Sequence, residues 1–173
     1  MIDIHILKAD SQANIQYLRD SLDTVNKELY KTHHEEGKWS IQQILEHLSV
    51  TERGVLMMGN GQTTETNRDP NMIIHQIRDF LGDQSDKRTA PAPVRPPGED
   101  KSMIKFLDLI LETRHAFIEQ GESKGWHQIL DQFSHPISGA MTRLEWLYFH
   151  IYHTERHLHQ IKLIMQNPKP SNV

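Results

Sequence analysis

The sequence predicts an all-α protein: a four-helix bundle with a long proline-containing crossover between the second and third helices, forming a single domain over residues 1–173. Three observations carry this expectation. Four segments place apolar residues at three- and four-residue steps, and strict alternation of the strand type is scarce. Two helix starts are written as capping boxes, Ser40-Ile41-Gln42-Gln43 and Thr142-Arg143-Leu144-Glu145, in which side chains and orphan amides satisfy one another. Between the second and third periodic segments, residues 89–98 carry prolines at 91, 93, 96 and 97, which remove amide donors and forbid helix.

The first helix is expected from about Ala9 to Tyr30, with Ile15, Leu18, Leu22, Val25 and Leu29 in step. That stripe serves either the core or a dimer face. The chain breaks at His33-His34-Glu35-Glu36-Gly37, and Ser40 opens the second helix. Ile41, Ile44, Leu45, Leu48 and Val55 form its stripe, and Gly59 and Gly61 end it. A short amphipathic piece follows around Met72 to Leu81. The third helix runs from about Ser102 to Gln120, with Ile104, Leu107, Ile110, Leu111 and Phe117 inward and Gly121 and Gly125 closing it. In the fourth, Leu147, Ile151, Leu158, Ile161 and Met165 share a stripe, and Pro168 and Pro170 stop it. A long crossover lets the second and third helices run parallel.

Composition narrows the chemistry. The chain has no cysteine, which excludes disulfides, thiolate metal sites and a cysteine nucleophile. It has 12 histidines, the commonest metal ligand and the side chain that titrates near neutrality. The 19 basic and 23 acidic residues give a net charge of -4, with basic residues scattered singly, which argues against nucleic acid as a partner. No apolar stretch nears the roughly 18 residues needed to cross a membrane. Met1-Ile2-Asp3-Ile4-His5 lacks the pattern of a secretory signal, and the expected location is cytoplasmic.

His153 and His157 are four apart on the fourth helix, so their imidazoles lie on one face within reach of a shared ion. A third ligand from a facing helix would complete a set, and His47 lies at the border of the second helix's apolar stripe. By spacing alone, buried imidazoles hydrogen-bonded to neighbours remain an equal reading. His150, one turn before the pair, is a pocket or outer-sphere candidate, as are Gln43 and Thr51 on either side of His47. Glu155 lies between the two histidines but faces elsewhere and is not read as a base; Glu46 diverges from His47 and reads as solvated. His135 reads as a plain turn residue, with a place at the rim as the alternative. His5, His33, His34, His75, His115 and His127 lack partner spacing and read as surface. The carboxylate di-iron pattern fails, because only Glu112-Thr113-Arg114-His115 has its spacing. His-Glu-x-x-His, phosphate loops and Gly-x-Ser-x-Gly are absent.

Gly37-Lys38-Trp39-Ser40-Ile41-Gln42-Gln43-Ile44-Leu45-Glu46-His47-Leu48 resembles the first signature of the DinB-like superfamily. His135-Pro136-Ile137-Ser138-Gly139 with Leu144-Glu145-Trp146-Leu147 resembles its entry to the last helix, and residues 153–161 resemble its closing signature. Ala92-Pro93-Val94-Arg95-Pro96-Pro97 is similar to its proline crossover. The resemblance implies a divalent metal (nickel, zinc or iron) held by His47, His153 and His157, and a homodimer. It also implies transfer of a low-molecular-weight thiol, or water, to a small electrophilic substrate by a transferase or hydrolase. Three neutral imidazoles leave coordination positions open, and a zinc-like ion lowers the pKa of bound water from about 15.7 to about 7. The competing expectation is a non-catalytic bundle that binds a metal or a partner protein.

Overall fold

The computed structural model describes residues 3–33, 37–85, 89–135 and 138–167. Helix α1 (Ile4–Leu22) starts earlier than the periodicity suggested, because the Asp3 side chain caps it by accepting the His5 amide at 2.9 Å. It also ends earlier. Asp23-Thr24-Val25-Asn26 is poor in helix formers, and Asn26 accepts the Leu29 amide at 2.8 Å to start a separate short helix, α2 (Lys27–Lys31). The expected single helix is thus two, although Leu18, Leu22, Val25 and Tyr30 all remain buried in one core. That stripe packs in the core within the chain, with Leu29 partly buried at its edge.

Helix α3 (Ile41–Met58) carries the expected capping box: the Gln43 amide donates to Ser40 Oγ at 3.3 Å, and the Ser40 amide to Gln43 Oε1 at 3.0 Å. After it, strand β1 (Thr63–Glu65) pairs antiparallel with β2 (Gln128–Leu130), Thr64 opposite Ile129. Three-residue strands are too short to print an alternation, so the sequence did not reveal them. Helix α4 (Ile74–Gly82) packs on the last helix through Ile77 and Leu81. Residues Ala92–Val94 make one 3-10 turn inside the otherwise extended crossover.

Helix α5 (Met103–Lys124) runs past Gly121 and ends at Gly125, whose φ of 92° suits a residue without a Cβ. Gly121 is needed for another reason: a Cβ there would lie 2.5 Å from the Trp126 ring. Ile104, expected inward, is 69% exposed, since it lies about 120° round the helix from Ile110. Helix α6 (Arg143–Gln166) has the second capping box, with Thr142 and Glu145. Pro168 and Pro170 lie outside the described residues.

Side-chain pairs give the helix directions. Asp10 meets Tyr148 and Asn14 meets the Ile151 carbonyl, so α1 and α6 run parallel. Lys8 meets Glu122 and Asn14 meets Arg114, so α5 opposes α1. Glu52 meets Arg114 and the Leu56 carbonyl meets Gln120, so α3 and α5 run parallel, as the crossover implied. The core has two apolar clusters. One is built around Leu18, Leu45, Leu48, Ile110 and Leu158, the other around Val55, Phe117, Leu147 and Phe149. A buried polar layer, Asn14, Glu52, Arg114 and Thr154, lies between them along all four long helices. Among the described residues no helix is long and apolar enough to cross a membrane.

Candidate metal centre

His47 on α3 and His153 and His157 on α6 come together in that bundle, all three buried. His47 sits on the α3 face that also buries Ile44 and Thr51, and the four-residue step between His153 and His157 stacks them on one face of α6. The antiparallel crossing of α3 and α6 then sets the rings opposite each other. His153 Nε2 lies 3.2 Å from His47 Nε2 and 3.0 Å from His157 Nε2. Their candidate ligand atoms all fall within 4.8 Å of one another. Two nitrogens at about 2.0–2.1 Å from one ion are about 2.9 Å apart at a right angle and about 3.4 Å apart at the tetrahedral angle. The observed spacings fall within that span.

The outer nitrogens decide the tautomers. His47 Nδ1 is 2.5 Å from the Val94 carbonyl, and a carbonyl can only accept, so Nδ1 carries the proton. His157 Nδ1 likewise donates to Gln160 Oε1 at 2.8 Å. Both rings therefore present Nε2 as a bare lone pair. Burial lowers the pKa of His47, despite the opposing bond to Val94. Burial, with the neighbouring histidines and Arg156, holds His153 well below 6.5, and burial beside His47 takes His157 down to about 3. The two bare Nε2 lone pairs of His47 and His157 both face His153 Nε2 at about 3 Å, where either the His153 proton or a cation can hold them together. The donor set fits a divalent ion of the nitrogen-preferring kind.

Aromatic rings wall the cluster. Trp39 lies 4.8 Å from His47 and 6.3 Å from His157, and Phe149 stacks on His153 at 5.3 Å. His135 packs edge-on against Phe149 at 5.2 Å while Nδ1 accepts the Ser138 amide, so it backs this wall rather than reaching the cluster. Two surface depressions of about 550 and 560 Å³ lie elsewhere, at Tyr30–Met103 and along α1–α5, and none of the three histidines lines either.

The remaining expectations divide. Gln43 Oε1 is held by the cap of α3. Thr51 is buried with its hydroxyl unpartnered among the described residues, and His150 is buried between Phe117 and Phe149 with both ring nitrogens likewise unpartnered among them. Glu46 is not solvated: it is 1% exposed and accepts the Glu99 amide at 2.6 Å, because the crossover folds over this face of α3. Glu155 is exposed, as are His5, His33, His75, His115 and His127; His34 lies outside the described residues. The reading of the residues passed over Val94, Gln160, Trp39, Phe149 and the Glu52–Arg114 pair. Gln160 was visible as the residue one turn after His157, and Arg114 as a charge in phase with Ile110 and Phe117.

Fold and site together define a four-helix bundle with a buried three-histidine cluster shared between facing helices. The chain belongs to the DinB superfamily, whose family profile matches residues 12–161. It is similar to the uncharacterized protein YuaE of Bacillus subtilis (strain 168), 26% identical over 134 residues that cover 75% of this chain and 78% of that protein. It also resembles the crystal structure of TT2238, a four-helix bundle protein. The TM-score is 0.53 at 17% identity, over 93% of this chain and 99% of that one, a likeness of fold.

Proposed function

We propose that His47, His153 and His157 hold one divalent metal ion, nickel, zinc or iron, and that the protein is an enzyme which transfers a low-molecular-weight thiol, or water, to a small electrophile. The observation that carries the metal is the convergence of three Nε2 atoms, two of them stripped of protons by acceptors at Val94 and Gln160. When bound, the ion would supply a Lewis acid that acidifies a thiol or water at its open positions.

The chain's own part is positional. Val94 and Gln160 fix the ring orientations, and the imidazoles stay neutral at pH 7 because they are buried. Trp39 and Phe149 present apolar rings beside the cluster, which suits a substrate with an apolar portion. A chain without cysteine must take its thiol from solution.

The second reading is a bundle that binds metal without catalysis. It is favoured by how closed the cluster is, with the three histidines only 4%, 8% and 5% exposed. Elemental analysis of untagged protein purified without chelators tests the metal: about one ion per chain is expected, with loss in His153→Ala. Incubating the loaded protein with thiols and electrophiles then separates the two readings, since turnover that disappears with the metal belongs to the enzyme alone.

A further inference from the structure

Four buried polar atoms near the cluster have no hydrogen-bond partner among the described residues: Thr51 Oγ1, His150 Nδ1 and Nε2, and His153 Nδ1. Buried polar atoms are nearly always paired. Of the six unpartnered ones on α3 and α6, Glu46 Oε2 and Trp146 Nε1 are the other two, and the four on Thr51, His150 and His153 require an explanation together. They are also neighbours. Helices α3 and α6 run antiparallel, with His47 opposite His153 and the Gly59 carbonyl accepting from Arg143 at 2.9 Å. Along that register Thr51, one turn beyond His47, comes level with His150, one turn before His153. The residues are 9%, 1% and 8% exposed.

The chemistry of the three groups is complementary. An ion on His153 Nε2 obliges that ring to carry its proton on Nδ1, where Val94 and Gln160 have no counterpart. His150 is held neutral by burial next to the Arg114 guanidinium, and a neutral imidazole has one acceptor nitrogen and one N–H. Arg114 itself is directed at Glu52, Asn14 and Thr154. The Thr51 hydroxyl can both give and accept. Two to four such partners are what a buried water needs.

We propose that Thr51, His150 and His153 enclose a site for one buried water, and that His150 acts through this water as a positioning residue for His153. The water accepts from His153 Nδ1–H, donates to the free nitrogen of His150 and exchanges a hydrogen bond with Thr51. It gives His153 the outer-sphere acceptor that the other two rings find in the protein. The inference rests on the metal reading above.

The test uses the full chain and zinc. Wild-type protein, His150→Phe, His150→Gln and Thr51→Val are titrated with zinc against a competing chelator, and their urea midpoints are measured metal-free. His150→Phe is expected to weaken zinc binding about 10–100-fold. Its metal-free stability should change little, because the apolar ring loses one hydrogen bond to the water and removes a second buried nitrogen that stays unpaired beside it. His150→Gln, which keeps an acceptor, should recover most of the affinity, and Thr51→Val should weaken binding to a lesser degree. The zinc-loaded wild type should show a slowly exchanging His153 Nδ1–H proton by nitrogen-15 NMR, lost in His150→Phe. Equal zinc affinity in wild type, His150→Phe and Thr51→Val would overturn the inference while leaving the metal site standing. Failure of the wild type to bind zinc, nickel or iron would instead overturn the metal reading, and this inference with it.

Discussion

The ring of His47 donates from Nδ1 to the main-chain carbonyl of Val94 at 2.5 Å, joining the candidate metal centre to the proline crossover 47 residues away in sequence. An ion on Nε2 requires the proton on Nδ1, and that same proton holds the crossover down, so each should stabilise the other. Metal removal should therefore loosen residues 89–98. The Val94 and Arg95 amides in this segment donate to the Pro91 and Ala92 carbonyls, and their hydrogen exchange should be faster with chelator than with zinc. At a free zinc concentration about 100 times Kd the whole fold should gain about 2.7 kcal/mol, a rise of roughly 5–10 °C in Tm. Exchange at Val94 and Arg95 that is indifferent to zinc would break the link between Val94 and the metal.

Acid should destabilise the metal-free protein earlier than carboxylate protonation alone would. His47, His150, His153 and His157 all have pKa values lowered from 6.5 by burial, His157 to about 3. The unfolded chain takes up protons on these rings below about pH 6.5 and the folded chain does not. Their stabilising contribution is complete above that pH and declines as pH falls toward the folded values. Each ring contributes a slope of about 1.4 kcal/mol per pH unit within its window. Urea midpoints measured in chelator at pH 7.5, 6 and 5 should fall, and His157→Gln should flatten the profile. A profile equally steep in wild type and variant would show His157 protonated in the folded chain.

Helix faces and the ligand pair were legible in the sequence because both obey the 3.6-residue period, as Leu18, Leu45, Ile110 and Ile161 show by lying fully inside. The break between Leu22 and Lys27 was not, since Leu22, Val25 and Leu29 keep the same period on both sides of it. A helical wheel represents one helix and its own phase. It turned Glu46 away from His47 correctly, but could not show that the crossover covers the face to which Glu46 points. The Val94 carbonyl is main chain and leaves no residue signature at all. Arg114 stood in the apolar phase from the beginning, and its partner Glu52 follows from the parallel course of α3 and α5.

That pair should be costly to break and cheaper to replace. Arg114 and Glu52 are 0% and 1% exposed and joined by two hydrogen bonds, Arg114 Nε to Glu52 Oε2 at 2.9 Å and Nη2 to Oε1. Glu52→Ala leaves a guanidinium uncompensated in the core and should cost about 3–5 kcal/mol. The double variant Glu52→Leu with Arg114→Met removes both charges and should be several kcal/mol less destabilised than the single one. Chemical denaturation of the two single variants and the double measures the coupling. An additive result would mean that the two charges do not depend on each other.

Two glycines inside helices should respond to alanine with opposite signs. At Gly121 in α5 a new Cβ would meet the Trp126 ring at 2.5 Å, and Trp126 is held in place, with its carbonyl accepting the Leu144 amide at 3.3 Å. Neither ring nor helix can yield freely, so Gly121→Ala should lose about 1–3 kcal/mol to overpacking, more than the gain in helix propensity. At Gly54 in α3 the added methyl meets nothing within 4 Å and faces solvent. There the alanine should stabilise by up to about 1 kcal/mol, through helix propensity and a less disordered unfolded chain. Adding Trp126→Leu to Gly121→Ala should recover part of the overpacking loss, which urea unfolding of the three variants would measure. If Gly121→Ala instead matched Gly54→Ala in sign, Trp126 would have to pack somewhere other than against the face of α5.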